Sequence, residues 1–313
     1  MDELKEAHLE REEEDEEEEE EEQFQEYREV RSSFWVSDRD PSDLLKIGRS
    51  GAKWRLVPVF AERVFHDYDE PQKAHISEVS ATCLATQVEG RKVGKQAIVK
   101  IRKQIPTDAE CPEDVEPEDL ARTKPCRYGI WASYEFYNYK RLGELRCRCT
   151  PKLLGHKLVS QSEDDDVPGG FILYLLIQKL PGRNLVNFGD LPISERDEVR
   201  LAFAKAIREF YALGYKHDDP DRRNLIWNPK KKKCYIIDLE DAYHIDDGDQ
   251  PKRFKPAIDW MDWALASPTY IMSDGIDPMY PWGQFSLVDP GDDALRKMAT
   301  DAAGKDVYKP PLD

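Results

Sequence analysis

Three polar side chains between Ala212 and Tyr243 have types and spacing that could do chemistry: Asp219, Asn224 and Asp238. Two short apolar runs, Asn224-Leu225-Ile226-Trp227 and Cys234-Tyr235-Ile236-Ile237, are separated by Asn228-Pro229 and a run of lysines, a pattern that predicts a β-hairpin. Asn224 sits before the first strand and Asp238 follows the second, and a hairpin returns to where it began. The two side chains are therefore expected to end close together. Asp219 lies five residues before Asn224 in a loop containing Pro220. A carboxylate and an amide oxygen, with a second carboxylate nearby, suit Mg²⁺ carrying phosphates.

Several elements must position these groups. Ser194 begins the clearest helix of the chain, with Val199, Phe203, Ala206, Ile207 and Phe210 on one stripe. Gly214 is expected to stop it, and His217 follows within three residues. Upstream, Phe171 to Ile177 is a continuous apolar run with the character of a buried strand, followed by Gln178-Lys179-Leu180-Pro181-Gly182. Ala81–Val88 and Gln96–Ile101 predict a hairpin across residues 89–95, and Trp54–Phe60 a strand with Pro58 at an edge or bend. Trp131–Leu145 reads as a helix, with Glu135, Tyr139 and Leu142 on one face.

Taken in order, these residues resemble the protein-kinase-like superfamily. His217-Asp218-Asp219, four residues and Asn224 match its H-x-D-x-x-x-x-N loop, and Asp238-Leu239-Glu240 stands where that family has D-F-G or a D-F/L-E variant. Ala97-Ile98-Val99-Lys100-Ile101 is similar to its V-A-I-K strand. The resemblance implies an α+β, bilobal fold: a small antiparallel β-sheet N-lobe with one helix, and a mostly helical C-lobe. It implies that Asp219 accepts or orients the proton of a hydroxyl being phosphorylated. Asn224 and Asp238 would hold Mg²⁺ against the phosphates of ATP, and Lys100 would reach those phosphates. Glu135, an acid on an apolar helix face, would be the partner of Lys100. Main-chain groups from Gln178 to Leu180 would meet the adenine edge.

His217 is expected to brace the loop against the Asp238 segment. Arg223 has two readings, a phosphate contact or a surface ion pair. Glu240 in place of the D-F-G glycine points to the small-molecule or atypical branches. Residues 52–89 contain no glycine, so the G-x-G-x-x-G that would cover the phosphates is missing before Lys100. That departure keeps a second expectation in play: a pseudokinase scaffold or complex subunit, associated with the kinetochore or chromatin.

The net charge of −17 is uneven. Residues 1–22 hold fifteen acids against Lys5 and Arg11, with an unbroken acidic block from Glu12 to Glu22. Such a block has nothing apolar to bury and repels itself. It reads either as a disordered solubilising tail or as a tail that binds a basic protein partner. Direct nucleic-acid binding is disfavoured. No apolar run reaches the length of about 18 residues needed to span a bilayer. Met1 is followed by acids, so no membrane association and a cytoplasmic or nuclear location are expected. The six cysteines are scattered and expected to be reduced, with no zinc-site spacing around Cys147-Arg148-Cys149. Lys230–Lys233 reads as a solvated hairpin turn or a nuclear signal.

The organisation expected is an acidic tail at 1–22, an extension at 23–54, a first lobe at 55–177 with an inserted loop at 104–127, and a second lobe at 178–313. Asp259-Trp260 and Asp262-Trp263 predict a helix that packs its aromatics on the second lobe, with Tyr270, Tyr280 and Trp282 beyond it.

Overall fold

The structure is a computed structural model that describes residues 35–36, 44–48, 51–57, 61–66, 76–107, 109, 115–245 and 252–266. The acidic tail, most of the extension, and Tyr270, Tyr280 and Trp282 lie outside the described residues. The contacts divide the chain into two compact units, Met1–Ile130 with Leu154–Ile177, and Trp131–Leu153 with Gln178–Asp313.

The first unit is built on one sheet. Its strands are β1 (Leu44–Lys46), β2 (Lys53–Leu56), β3 (Ala61–His66), β4 (Ser77–Glu89), β5 (Gln96–Ile105), β6 (Leu153–Ser160) and β7 (Phe171–Gln178). They run in the order β1-β2-β4-β5-β7-β6, with β3 also paired to β4. β4 is the organising strand: β2 pairs its end and β3 its beginning, both antiparallel, while β5 returns along nearly its whole length. Period-two alternation sends Val79, Ala81, Cys83 and Ala85 of β4 and Ala97, Val99 and Ile101 of β5 to one core, joined by Ile172, Tyr174 and Leu176 of β7. The opposite parity puts Lys100 and Arg102 of β5 on the other face.

The β4–β5 hairpin stands where the sequence predicts it, with β4 longer at both ends and β5 longer at its C-terminal end. Gln104 and Ile105, the first residues of the expected inserted loop, complete β5. Beyond them Pro117–Arg122 forms a short helix, α1, with acids in its first turn and Arg122 in its last. Two buried amides fasten the neighbouring loops. Gln104 donates to Lys124 O (2.8 Å) and accepts from Cys126 N (3.0 Å). Gln161 donates to Gln104 O (2.7 Å) and Phe171 O (3.3 Å) and accepts from Val167 N (3.1 Å).

Among the described residues the second unit holds three α-helices, α2 (Ile130–Glu144), α3 (Ile193–Ala212) and α4 (Pro256–Asp262), and three small antiparallel pairings. Its strands are β8 (Arg183–Asn184), β9 (Tyr215–His217), β10 (Leu225–Asn228), β11 (Lys233–Ile236) and β12 (Ala242–His244). The predicted stripe of α3, from Val199 to Phe210, is fully buried. Gly214, at φ +78°, takes the left-handed conformation that lets the chain leave α3 for β9. Trp260 and Trp263 are buried as expected, with Tyr211 Oη donating to Asp259 Oδ1 at 2.6 Å.

By its contacts α2, the helix that carries Glu135, groups with this unit rather than with the sheet. Asn138 is tied to the segment after Asp238, Arg148 N donates to Glu209 of α3 (2.6 Å), and Ile236 N donates to Cys149 O (2.7 Å). The fold is α+β, with one unit built on a sheet and the other mainly helical and bearing the hairpin. Among the described residues no helix is long and apolar enough to cross a membrane.

Candidate functional site

The site residues of the second unit are set by two crossing pairings. β10 and β11 form the predicted hairpin, with Leu225 opposite Ile236 and Asn228 opposite Lys233. β9 and β12 pair antiparallel, with His217 opposite Ala242. The loop after β9 and the segment after β11 therefore leave from adjacent strand ends. β8 lies on the other side of β10, where Asn184 Nδ2 donates to Arg223 O (2.6 Å). Gly182 permits this approach: a Cβ there would lie 2.1 Å from Trp227 O.

The hairpin does what its sequence predicts for Asn224 and Asp238. Ile237 N donates to Asn224 O at 2.9 Å, so Asp238 begins one residue beyond a direct main-chain bond to Asn224. Asn224 Nδ2 donates to Asp219 O (2.9 Å) and Asp219 Oδ2 (3.2 Å). With the nitrogen so engaged, Asn224 Oδ1 accepts no hydrogen bond among the described residues and is left as a hard oxygen donor. Asp238 sits at φ 61°, ψ 61°, a left-handed conformation that costs an aspartate about 1–2 kcal/mol and re-aims its side chain out of the strand direction.

His217 fastens the two segments. Its Nδ1 accepts from Asp219 N and its Nε2 donates to Ile237 O, both at 3.2 Å. Those partners call for the neutral Nε2–H tautomer. Burial, opposed by the Ile237 bond and by Asp238 and Asp219, lowers its pKa below the usual histidine value. The imidazole is thus a fixed strut.

Arg223 makes the ion pair that one of its two readings expects. Its Nη2 meets both oxygens of Asp219 (2.7 and 2.6 Å) and its Nη1 reaches Asp221 Oδ2 (2.9 Å). Burial works against its charge, but Asp221, Asp219 and Asp238 outweigh it and the pKa is raised. The Asp219 carboxylate is only partly buried, its side chain 34% exposed. Beside its loop an open recess of about 470 Å³ is lined by Lys216, His217, Asp218, Pro220, Tyr243, Lys252 and Asp262.

Glu135 lies with other acids. One carboxylate oxygen each of Glu135, Asp238 and Glu240 fall within 4.8 Å of one another. Asn138, one turn along α2, donates through Nδ2 to Leu239 O (2.8 Å) and to Ala242 O, holding α2 against the segment that carries Asp238 and Glu240. Asn138 was not anticipated from the sequence, although its i+3 spacing from Glu135 puts both on one helix face.

Lys100 lies in the first unit, on β5 opposite Thr82, with the buried Arg102–Glu78 pair (3.3 Å) nearby on the same face. Lys100 and Glu135 thus fall in different units. Gln178 ends β7, and its N–H donates to Lys152 O (2.9 Å), so that main-chain donor is already engaged. Leu180 follows at intermediate exposure.

No family model and no curated protein matches the chain. Among solved structures it is similar to that of the bifunctional kinase-methyltransferase WbdD, at 14% sequence identity and a TM-score of 0.34, over 55% of this chain and 31% of that one.

Proposed function

We propose that the chain is an ATP- and Mg²⁺-dependent phosphotransferase of the protein-kinase-like kind, moving a phosphoryl group onto a hydroxyl of a small molecule or a protein. The observation that carries this reading is the state of Asn224: its amide nitrogen is engaged by Asp219, its side-chain oxygen accepts nothing among the described residues, and its main chain is bonded next to Asp238. The donor set fits the metal, since an amide oxygen and a carboxylate are the hard ligands Mg²⁺ takes alongside phosphates. When bound, Mg²⁺ would neutralise charge on the transferring phosphoryl group. Asp219 orients the acceptor hydroxyl and takes its proton, and Lys100 steadies the phosphate chain. Asn138 and His217 keep the Asp238 segment and the Asp219 loop in register. The recess beside Asp218 and Pro220 is the side from which the acceptor enters.

A second reading, a pseudokinase scaffold, is favoured by one feature of the site. Arg223 occupies both oxygens of the residue that would act as base. The absence of glycine from residues 52–89 points the same way. In that case a protein partner, engaged through the acidic tail, would be the functional ligand.

Calorimetric titration of ATP, with and without Mg²⁺, into wild type and Asp238→Ala separates the two. The phosphotransferase reading expects Mg²⁺-dependent binding that the variant loses. No binding by wild type up to millimolar ATP would overturn it. The scaffold reading expects a complex that persists when Asp219 and Asp238 are both replaced.

A further inference from the structure

The turn that follows α2 brings two thiols together in a place the phosphotransfer chemistry does not use. Cys147 Sγ and Cys149 Sγ lie 3.3 Å apart, with Cys147 5% exposed and Cys149 1%. The turn between them is at the surface, since the Arg148 side chain is 69% exposed. It is also held firmly from three sides. Cys147 N donates to Leu142 O at the end of α2 (2.9 Å), Arg148 N to Glu209 Oε1 of α3 (2.6 Å), and Ile236 N of β11 to Cys149 O (2.7 Å).

Glu209 joins the two sulfurs in a group whose ligand atoms lie within 4.8 Å of one another, the outline of a metal site. Two features argue against that use. Thiolates at 2.3 Å from tetrahedral zinc sit about 3.8 Å apart, wider than the spacing found here. One oxygen of Glu209, Oε1, is already engaged by the Arg148 main chain and guanidinium.

We propose that Cys147 and Cys149 are a reversible dithiol–disulfide pair, with Cys147 the attacking thiol and Cys149 the resolving one, closed by a peroxide. The Cys147 thiolate attacks the O–O bond of hydrogen peroxide. An S–O bond forms, the O–O bond breaks and hydroxide leaves, giving a sulfenic acid at Cys147. Cys149 passes its proton to the departing hydroxide and attacks the Cys147 sulfur; the S–S bond forms, and the S–O bond breaks to release a second hydroxide, which takes up the proton Cys147 gave to solvent on ionising. Two thiols lose two electrons, and one peroxide becomes two waters. A thiol reductant reverses the step.

The local chemistry distinguishes this pair from Cys126 and Cys234. The hydrogen bond from Cys149, opposed by burial and helped by Thr150, lowers the pKa of Cys147, while burial pushes Cys149 well above the usual thiol range. Burial also raises Cys126 to about 11 and raises Cys234 strongly, so neither competes as a thiolate.

Closure must draw the sulfurs from 3.3 Å to about 2.05 Å and so reshape the turn that accepts the Ile236 N–H. β11 ends two residues before Asp238, so oxidation acts on the candidate nucleotide site; this consequence rests on the phosphotransferase reading above.

The test treats the full-length reduced protein with peroxide, alkylates it and maps the thiols by mass spectrometry. Trypsin cuts after Arg148, so the disulfide appears as two short peptides joined with the loss of two hydrogens, while the Cys83, Cys126 and Cys234 peptides remain alkylated. Cys149→Ser is expected to accumulate a sulfenic acid at Cys147 that a cyclic diketone traps, and Cys147→Ser to leave Cys149 as a free thiol. Alkylation of both residues after peroxide would overturn the pair, as would stoichiometric zinc in the reduced protein that protects them. The second readout is Mg²⁺–ATP affinity, expected to weaken several-fold on oxidation and recover with dithiothreitol. A disulfide that leaves the affinity unchanged removes the coupling. A disulfide in a protein that never binds Mg²⁺–ATP removes only the phosphotransferase reading.

Discussion

Buried amides do different things in the two units. In the first, Gln161 has both ends engaged: its nitrogen by Gln104 O and Phe171 O, its oxygen by Val167 N. Gln104 is engaged in the same way by Lys124 and Cys126. In the second unit Asn224 has its nitrogen engaged by Asp219 and its oxygen by nothing among the described residues. An amide satisfied at both ends is a staple, because its polar atoms are matched to main-chain groups that would otherwise be buried without partners. An amide with an oxygen left over beside a carboxylate can take a ligand, and on the phosphotransferase reading proposed above that ligand is Mg²⁺.

The largest expected effect lies at Asp219, the base of the proposed phosphotransfer. Asp219→Asn keeps the size of the side chain and an acceptor for Arg223 but removes the carboxylate. Phosphotransfer to whatever hydroxyl proves to be the substrate is expected to fall by about 10²–10⁴-fold, the usual worth of a positioned general base. Mg²⁺–ATP affinity should change little. Single-turnover measurement separates the two quantities, and an undiminished rate would sink the assignment of Asp219.

The amide comparison itself is tested by a pair of variants. Gln161→Leu removes the staple and leaves Val167 N, Gln104 O and Phe171 O without it, which is expected to destabilise the protein by about 2–4 kcal/mol in urea unfolding. Its affinity for Mg²⁺–ATP should be unchanged. Asn224→Ala is expected to show the reverse: at most about 1 kcal/mol of stability lost, and Mg²⁺-dependent nucleotide binding abolished. If both variants behave as destabilised proteins with intact binding, Asn224 is a second staple and the ligand reading fails.

Much of this was legible in the sequence because it rests on local rules. The hairpin around Asn228-Pro229, the α3 stripe and the Gly214 stop follow from turn chemistry and periodicity. Once the hairpin is drawn, the approach of Asn224 to Asp238 follows as well. What was not legible depends on which surfaces pack. The hold of α2 on the Asp238 segment is made by Asn138, whose bonds to Leu239 O and Ala242 O link residues about a hundred positions apart. No periodicity signals a side-chain amide reaching two carbonyls across that distance. The same holds for Cys147 and Cys149: the spacing showed two thiols, and only the fold shows them 3.3 Å apart and anchored to β11.

The smallest effect expected is also the most diagnostic of how the Asp219 loop is held. His217 is neutral in the folded chain, donating to Ile237 O and accepting from Asp219 N, and burial lowers its pKa below the unfolded value of about 6.5. Below that value the unfolded chain takes up a proton on His217 that the folded chain refuses. The stability this residue supports is therefore fully present above about pH 6.5 and is lost as pH falls from there through the folded pKa. His217→Gln keeps one donor and one acceptor but cannot titrate. Urea unfolding between about pH 5 and 7 should show wild type losing stability on acidification more steeply than the variant, with the two slopes converging above about pH 6.5. Parallel slopes across the range would mean that the folded and unfolded chains bind the His217 proton equally, so that the imidazole becomes charged in the folded chain as pH falls below about 6.5. A charged imidazole would donate from both nitrogens, so it could not accept from Asp219 N, and the loop that presents Asp219 would have to be held by Arg223 and Asn224 alone.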